Sequence, residues 1–255
     1  MALLTDGNPN DTEALRVYES AILDLAHVEG IDLDLKLGLA TEEVTQEVLN
    51  FLIDRTLSDP QGTARRSIGV ADVVVTPQVK RWHALHTLAV VYRDAFNNQI
   101  NDRYRKKWEE YRDLALGAKE QATIFGIGLV AAPIRKASTP AFGTVPGTAE
   151  ATTYYARMNW VSVTGQEGSP STLTTYQTVD ASSLTVASVD PPAVAAGWNV
   201  YLGLTPTTLR QQNGTLLGTG QVFTLPAGAL AAGKVPGDGQ APETYVAGSS
   251  TLRRG

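Results

Sequence analysis

Two histidines, His83 and His86, lie three residues apart in a stretch of helical character. On one helix face this spacing could present two imidazoles to a metal ion. No third ligand stands at a fitting spacing, and HxxH alone is a weak signal. The alternative is a pair of ordinary histidines that lie on the helix surface or partly inside the protein. We therefore predict no metal ion and no cofactor.

The sequence also lacks the common catalytic motifs. GxSxG, HExxH and GxxxxGK[ST] are all absent. The Gly-Ile-Gly at 126–128 has no third glycine and no context of a nucleotide-binding loop. Glu109 and Glu110 follow Arg105 and Lys106 at a spacing of four, which is typical of a solvated helix face. No acid, base and nucleophile converge, so we predict that the chain is not an enzyme.

The charge balance argues against binding through nucleic-acid phosphates. The formal net charge is −5 and the isoelectric point is near 5.3, whereas proteins that neutralise phosphates are usually basic. A local basic cluster contains Arg103, Arg105, Lys106 and Lys107, and it could contact DNA or an acidic partner. In so acidic a chain we interpret it as a subunit contact or as a solubilising surface. The chain has no cysteine, so disulfides and thiolate metal sites are excluded.

A short apolar segment is the stronger candidate for an interface. Its candidate contact residues are Ile124, Phe125, Ile127, Leu129 and Val130. An apolar segment that joins two domains must be covered, either by another subunit or as a strand inside its own domain. The sequence leaves both alternatives open. Arg253 and Arg254, near the end of the chain, complete the set of candidate interface residues.

The histidines and the basic cluster lie within a predicted pair of long helices, and the apolar segment follows it. Thr76 can cap a helix, and Pro77 suits the first helical position. An apolar stripe at steps of three and four follows: Trp82, Leu85, Ala89, Tyr92, Phe96, then Ile100, Tyr104, Trp108, Tyr111, Ala115. Asparagines interrupt the stripe, so we predict two helices, or one helix broken near residues 97–101.

Earlier elements are predicted from caps and periodicity. Asn10 or Asp11 can cap a first helix that Gly30 ends. The alternation of apolar residues over 31–37 indicates a strand, or an extended segment that crosses the helices. Thr41 is expected to begin the next helix.

The composition changes after about residue 121. Residues 133–150 are rich in proline, which predicts an extended linker. From Thr152 onward apolar residues alternate, and short strands are expected at 173–178, 183–188, 198–204 and 221–225. Residues 233–255 are rich in glycine and proline and are expected to form a flexible tail.

The predicted fold class is α+β multidomain, with an N-terminal α-helical bundle followed by a small antiparallel β-sandwich. The predicted boundaries are 1–132 for the helical domain, 133–150 for the linker, 151–232 for the sandwich and 233–255 for the tail. The first residues lack the features of a secretion signal. The longest apolar run, residues 122–133, is too short to span a bilayer, so we expect a soluble protein.

Both halves of the chain resemble proteins of the tailed-bacteriophage neck. The helical half, with its aromatic-rich DRYRKKWEEYRDLA segment and apolar exit, is similar to head–tail connector (adaptor) proteins. The second half resembles the immunoglobulin- or fibronectin-III-like modules of phage neck and tail proteins. YYARMNWVSVTGQEGSPS at 154–171 and WNVYLGLTP at 198–206 carry that resemblance.

The resemblance implies a structural virion protein. Such adaptors form a homo-oligomeric ring, of twelve copies, between the portal protein and other neck or tail rings. DNA passes through the ring without sequence-specific binding, and no membrane is involved. The implied location is the virion neck, after assembly in the bacterial cytoplasm. Compact adaptors often lack a sandwich, so the second domain is a departure from the pattern.

A different class of function also fits the sequence. The β-sandwich could be a carbohydrate- or surface-binding module on a helical stalk. Exposed aromatic residues such as Tyr155 and Tyr201 would then form its binding platform. The alternative for these tyrosines is that they cover the seam between domains.

Overall fold

The computed structural model of the chain describes residues 1–57, 68–98 and 102–248. The chain divides into two compact units. The helical unit contains residues 7–130 and the segment that begins at Pro242, and the β unit contains residues 1–6 and 131–241. The predicted order of a helical region followed by antiparallel sheets is therefore confirmed.

The described part of the helical unit contains five α-helices. They are α1 (Thr12–Arg16), α2 (Ile22–Glu29), α3 (Leu33–Leu57), α4 (Pro77–Asn98) and α5 (Arg105–Phe125). Asp11 caps α1, because its Oδ1 accepts a hydrogen bond from Ala14 N at 2.8 Å. Gly30 ends α2 at a φ of +65°, a left-handed conformation that glycine adopts without steric cost. These contacts confirm the predicted cap at Asp11 and the predicted end at Gly30. The prediction of one continuous helix between them was wrong, because α1 ends at Arg16 and α2 begins at Ile22.

Helices α4 and α5 form the predicted antiparallel hairpin. Thr76 Oγ1 accepts from Val79 N at the start of α4, and the break falls between Asn98 and Arg105. Three pairs lie successively farther from the break, which shows that the helices run in opposite directions: Phe96 with Trp108, Tyr92 with Tyr111, and Arg81 with Gln121.

The prediction of a strand over 31–37 and of a new helix at Thr41 was wrong. A single helix, α3, begins at Leu33 and runs through Thr41. Asp32 Oδ1 accepts hydrogen bonds from Asp34 N at 3.0 Å and Leu35 N at 3.1 Å, which caps the helix. Leu35 is 70 % exposed, so the alternating leucines do not share a buried strand face.

The apolar exit segment of the helical unit forms a small sheet. Strand β1 (Ile127–Leu129) pairs antiparallel with β9 (Thr244–Val246). Leu129 also bridges Val73 on its other side, just after a 3₁₀ turn at Val70–Asp72. Part of the predicted flexible tail, 233–255, is thus a strand, because β1 offers it an unpaired edge.

The β unit contains seven strands in two antiparallel sheets. They are β2 (Ala141–Pro146), β3 (Thr153–Ser162), β4 (Thr174–Gln177), β5 (Ser182–Ala187), β6 (Ala195–Gly203), β7 (Arg210–Gln211) and β8 (Val222–Thr224). One sheet has the order β2-β5-β8, and the other has the order β4-β3-β6-β7. The predicted linker, 133–150, contains β2, because the extended backbone of this segment pairs along its whole length with β5.

One hydrophobic core serves both sheets. The fully buried Trp160 on β3 lies directly opposite the fully buried Trp198 on β6. Leu184 and Val186 of β5 and Phe223 of β8 belong to the same cluster. The alternation that predicted β3 therefore identified its buried face correctly.

Within the described residues, no helix is both long enough and apolar enough to cross a membrane.

Capping by Asp32 can be tested by substitution. Asp32→Ala should lower the free energy of unfolding by about 1 kcal/mol, because two amide groups lose their acceptor. Asp32→Asn should change it by only a few tenths of a kcal/mol, since asparagine caps about equally well. Urea denaturation followed by circular dichroism measures both. Equal losses in the two variants would contradict the capping role.

Candidate functional site

The predicted interface segment is only partly at the surface. Ile124 and Phe125, at the end of α5, are 53 % and 66 % exposed. Ile127, Leu129 and Val130 are buried, because β1 lies between β9 and Val73 in the core of the helical unit. These last three residues were wrongly predicted as candidate contacts, and the alternative of a strand within its own domain was correct.

The predicted basic cluster is exposed, and two of its four members, Arg105 and Lys107, pair with carboxylates. Lys107 Nζ pairs with Glu19 at 3.3 Å and with Glu110 at 3.6 Å. Arg103 stacks over the ring of Tyr104, and Lys106 is exposed on the same turn. Arg253 and Arg254 lie outside the described residues.

A groove runs between α3 and α5 above α4. Its volume is about 440 Å³, and we call it the α3–α5 groove. Its apolar lining comes from all three helices: Val44, Trp82, Ala89, Val90, Trp108, Ala115, Leu116. Trp108 is stacked on Phe96 at 5.7 Å between ring centroids, which fixes the shape of one wall.

Charged groups form the rim of the α3–α5 groove. Lys119 Nζ of α5 pairs with Glu47 Oε2 of α3 at 2.8 Å and bridges the two walls. His86 Nε2 lies 2.5 Å from Glu43 Oε2. Arg93 and Arg112 also line the groove. The arrangement of an apolar floor with a charged rim is typical of a surface that binds another protein segment.

Hydrogen-bond partners engage both ring nitrogens of His83 and Nε2 of His86. His83 is fully buried, with Nδ1 3.0 Å from Asn10 Nδ2 and Nε2 2.9 Å from Thr41 Oγ1. Asn10 Nδ2 also donates to Lys80 O at 2.8 Å, so its amide presents an N–H to His83. Across the described part of the chain, no group of three or more His, Asp or Glu side chains could hold a metal ion.

The hydrogen bonds of His83 fit the neutral imidazole. Nδ1 accepts from the Asn10 amide, and Nε2 donates to Thr41 Oγ1. Protonation of Nδ1 would set two N–H groups against each other. Burial lowers the pKa of His83 to about 4, despite the opposing hydrogen bond with Leu37 O and with a further lowering by nearby His86.

Glu19 joins the loop between α1 and α2 to the hairpin. Its Oε2 accepts hydrogen bonds from Tyr111 OH at 3.0 Å and Tyr92 OH at 3.1 Å, and it pairs with Lys107. Burial alone would raise the pKa of Glu19, but these hydrogen bonds outweigh burial and lower the pKa. The two tyrosine rings stack at 5.3 Å. We interpret this cluster as a structural joint.

A second carboxylate organises a polar cluster in the β unit. Glu167 Oε1 accepts from Asn199 Nδ2 at 2.6 Å and from Tyr201 OH at 2.7 Å, and it pairs with Lys234 Nζ at 2.9 Å. Burial would raise the pKa of Glu167, but the hydrogen bonds from Lys234, Tyr201 and Asn199 lower it overall. We interpret this cluster as structural, because Glu167 is the shared acceptor of side chains from β6 and from the segment after β8.

The proposed carbohydrate platform is not formed as the sequence suggested. Tyr201 is fully buried and donates to Glu167, while Tyr155 is partly exposed. Tyr201 therefore cannot stack against a sugar at the surface.

No protein-family model matches the chain, and neither a curated protein nor a solved structure matches it.

The α3–α5 groove was not predicted from the sequence. The residues of α3 that line it, such as Val44 and Glu47, were assigned to a helix beginning at Thr41. Two apolar residues of α5, Trp108 and Leu116, could have suggested the groove. They lie on one flank of the helix, away from Tyr111 and Ala118, which face the core.

The burial of neutral His83 predicts a specific pH dependence. The folded pKa near 4 lies below the unfolded value of 6.5, so the unfolded chain binds the proton more strongly. The contribution of neutral His83 to the free energy of unfolding is therefore complete above pH 6.5. It is lost as the pH falls toward 4, and the loss amounts to at most about 3 kcal/mol.

Urea unfolding of the wild type and of His83→Gln at several pH values measures this effect. The stability advantage of the wild type should shrink between pH 6.5 and 4, because glutamine does not titrate. The matched control is His27→Gln, since His27 is exposed; that variant should follow the wild type. A constant difference between the wild type and His83→Gln would contradict the prediction.

Removal of the Glu167 carboxylate should destabilise the β unit. Glu167→Ala should cost on the order of 3 kcal/mol, because Tyr201 and Asn199 would remain buried without their acceptor. Lys234→Ala should cost less than about 1 kcal/mol, since the Lys234 side chain is 57 % exposed.

Hydrogen exchange of β3 and β6 peptides, read by mass spectrometry, measures both variants. Similar losses for the two substitutions would show that the ion pair, and not the buried hydrogen bonds, stabilises the cluster.

Proposed function

We propose that the chain is a structural virion protein of a tailed bacteriophage, in which a ring of copies joins the portal of the head to the tail. The α3–α5 groove carries this proposal. It is an apolar surface with a charged rim, formed where two long helices, α3 and α5, both pack on α4. Surfaces of this kind usually serve assembly.

The helical hairpin suits a ring subunit. α4 contributes twelve buried residues to the unit, while α5 leaves most of its outer face exposed. Long, rigid helices with exposed flanks can stand side by side around an axis. Contacts of one flank with the opposite flank of the next copy are heterologous, and they generate a ring when the rotation closes.

The β unit supports the finer fold assignment. Sheets of three and four antiparallel strands that share one core match the architecture of immunoglobulin-like and fibronectin-III-like sandwiches. We interpret this unit as a separate module that is added to an adaptor domain. Residues 131–241 form an insertion between two segments of the helical unit.

The charge of the chain fits a channel for DNA. With a formal net charge of −5, the ring would not trap the duplex by counterion release. Its partners would be the portal protein and the neighbouring neck or tail rings, and twelve copies would match the portal. The protein would assemble in the bacterial cytoplasm and remain in the virion neck.

A nonsense mutation tests this function in the phage that carries the gene. With a stop codon in place of Gln46, infected cells should accumulate DNA-filled heads and free tails, visible by negative-stain microscopy. Growth on a strain that suppresses the stop codon should restore tailed particles. Normal tailed virions on the non-suppressing strain would contradict the proposal.

A further inference from the structure

The α3–α5 groove has the dimensions of a helix-binding site. On α5 alone its lining extends from Trp108 to Lys119, which corresponds to roughly 16 Å at 1.5 Å per residue. This length accommodates about three turns of a helix. An apolar floor between two helices is the usual setting for the apolar stripe of a third.

The same chain presents a helical stripe that fits this groove. Six exposed residues of α5 form one line along the helix, which we call the α5 ridge: Glu110, Asp113, Leu114, Gly117, Gln121, Ile124. Their spacing follows steps of three and four. Leu114 and Ile124 are large apolar side chains that are 42 % and 53 % exposed.

Gly117, in the middle of the ridge, permits close approach. A Cβ added at Gly117 would have no neighbour within 4 Å. The helix therefore shows bare backbone between Leu114 and Gln121, and a facing surface can approach it closely there.

The charges of ridge and groove are complementary. The ridge carries the carboxylates of Glu110 and Asp113, while the groove rim carries the guanidinium groups of Arg93 and Arg112. Arg93 has no ion-pair partner among the described residues. Arg112 pairs with its neighbour Asp113, but both side chains are at least half exposed, so this pair is easily exchanged for an intermolecular one. Glu110 pairs with Lys107 at 3.6 Å, but both side chains are about half exposed, so this pair is also easily exchanged.

The ridge and the groove face different directions. At about 100° per residue, the ridge and the groove-lining residues of α5 are centred roughly 165° apart around the helix. One copy can therefore insert its ridge into a second copy while its own groove receives a third.

We propose that the α5 ridge of one copy docks in the α3–α5 groove of the next copy of the same chain. The contact is heterologous, so it links copies head to tail. It specifies the subunit interface of the proposed neck ring, and it rests on that function only for the closure of the contact into a ring.

Crosslinking of single-cysteine variants tests the contact, since the full chain has no cysteine of its own. Leu116→Cys places a thiol in the groove, and Ile124→Cys places one on the ridge. The two variants carry different tags and react together with a short bifunctional maleimide. The mixture should give a heterodimer, whereas each variant alone should remain uncrosslinked.

The matched control replaces the ridge thiol with Val28→Cys. Val28 is 71 % exposed on α2, outside both surfaces, and its mixture with Leu116→Cys should give at least tenfold less heterodimer. Strong crosslinking of either variant with itself would indicate a two-fold symmetric contact and would overturn the proposal. Equal yields with Val28→Cys and Ile124→Cys, or no heterodimer at all, would also overturn it.

A blocking variant separates docking from folding. Gly117→Arg in the ridge chain should reduce the heterodimer yield at least tenfold, because it fills the site of close approach. Its unfolding temperature should stay unchanged or rise, since arginine favours helices more than glycine does. An unchanged yield would overturn the proposal.

The two proposals can fail separately. A heterodimer in solution combined with normal tails in the nonsense mutant would retain the contact and reject the neck function. Tailless heads combined with no crosslinking would retain the neck function and reject this contact.

Discussion

The burial of α4 is the constraint on which the helical unit depends. Twelve of its residues are buried, including the polar His83 and Thr87. A helix enclosed to this extent must have its polar side chains paired inside the protein. Thr87 Oγ1 donates to His83 O, while Asn10 and Thr41 occupy the two nitrogens of His83. Hydrogen bonds to the buried His83, in addition to apolar packing, therefore position the N-terminal segment and α3 against α4.

The β unit also contains buried polar side chains that must be paired, and there a carboxylate accepts their hydrogen bonds. In β3 and β6 both sheet faces are buried, so Asn159, Asn199 and Tyr201 lie on the face away from the tryptophan core and are shielded from solvent. Glu167 accepts hydrogen bonds from all three of these side chains and pairs with Lys234. The segment after β8 is held in place by this pairing and by Gln211 N, which donates to Lys234 O at 2.9 Å. Together with the hydrogen bonds between Gln212 and Ala231, these contacts order a stretch whose composition indicates flexibility.

Local signals determined which elements could be predicted. Thr76, Pro77, Asp11 and Gly30 act through neighbouring backbone groups, and each was assigned correctly from the sequence. Strands β2 and β9 could not be found in this way, because their partners are about 40 and 117 residues distant along the chain. Over so few residues, the leucines at 33–37 fit the period of a strand and that of a helix equally well. The cap at Asp32 favours the helix. Glu167 carried no motif, since its role arises only when β3 and β6 pair.

The groove exists because α3 and α5 pack on opposite flanks of α4 and scarcely touch each other. The described contact across the gap is the partly exposed ion pair of Lys119 and Glu47, and such pairs contribute at most about 1 kcal/mol. The floor is different, because Trp82 is 3 % exposed and belongs to the buried helix. A rigid floor loses little conformational freedom when the groove is occupied, and a weak ion pair at the rim costs little to exchange. The burial of α4 therefore explains both the stability of the helical unit and the open, preformed surface beside it.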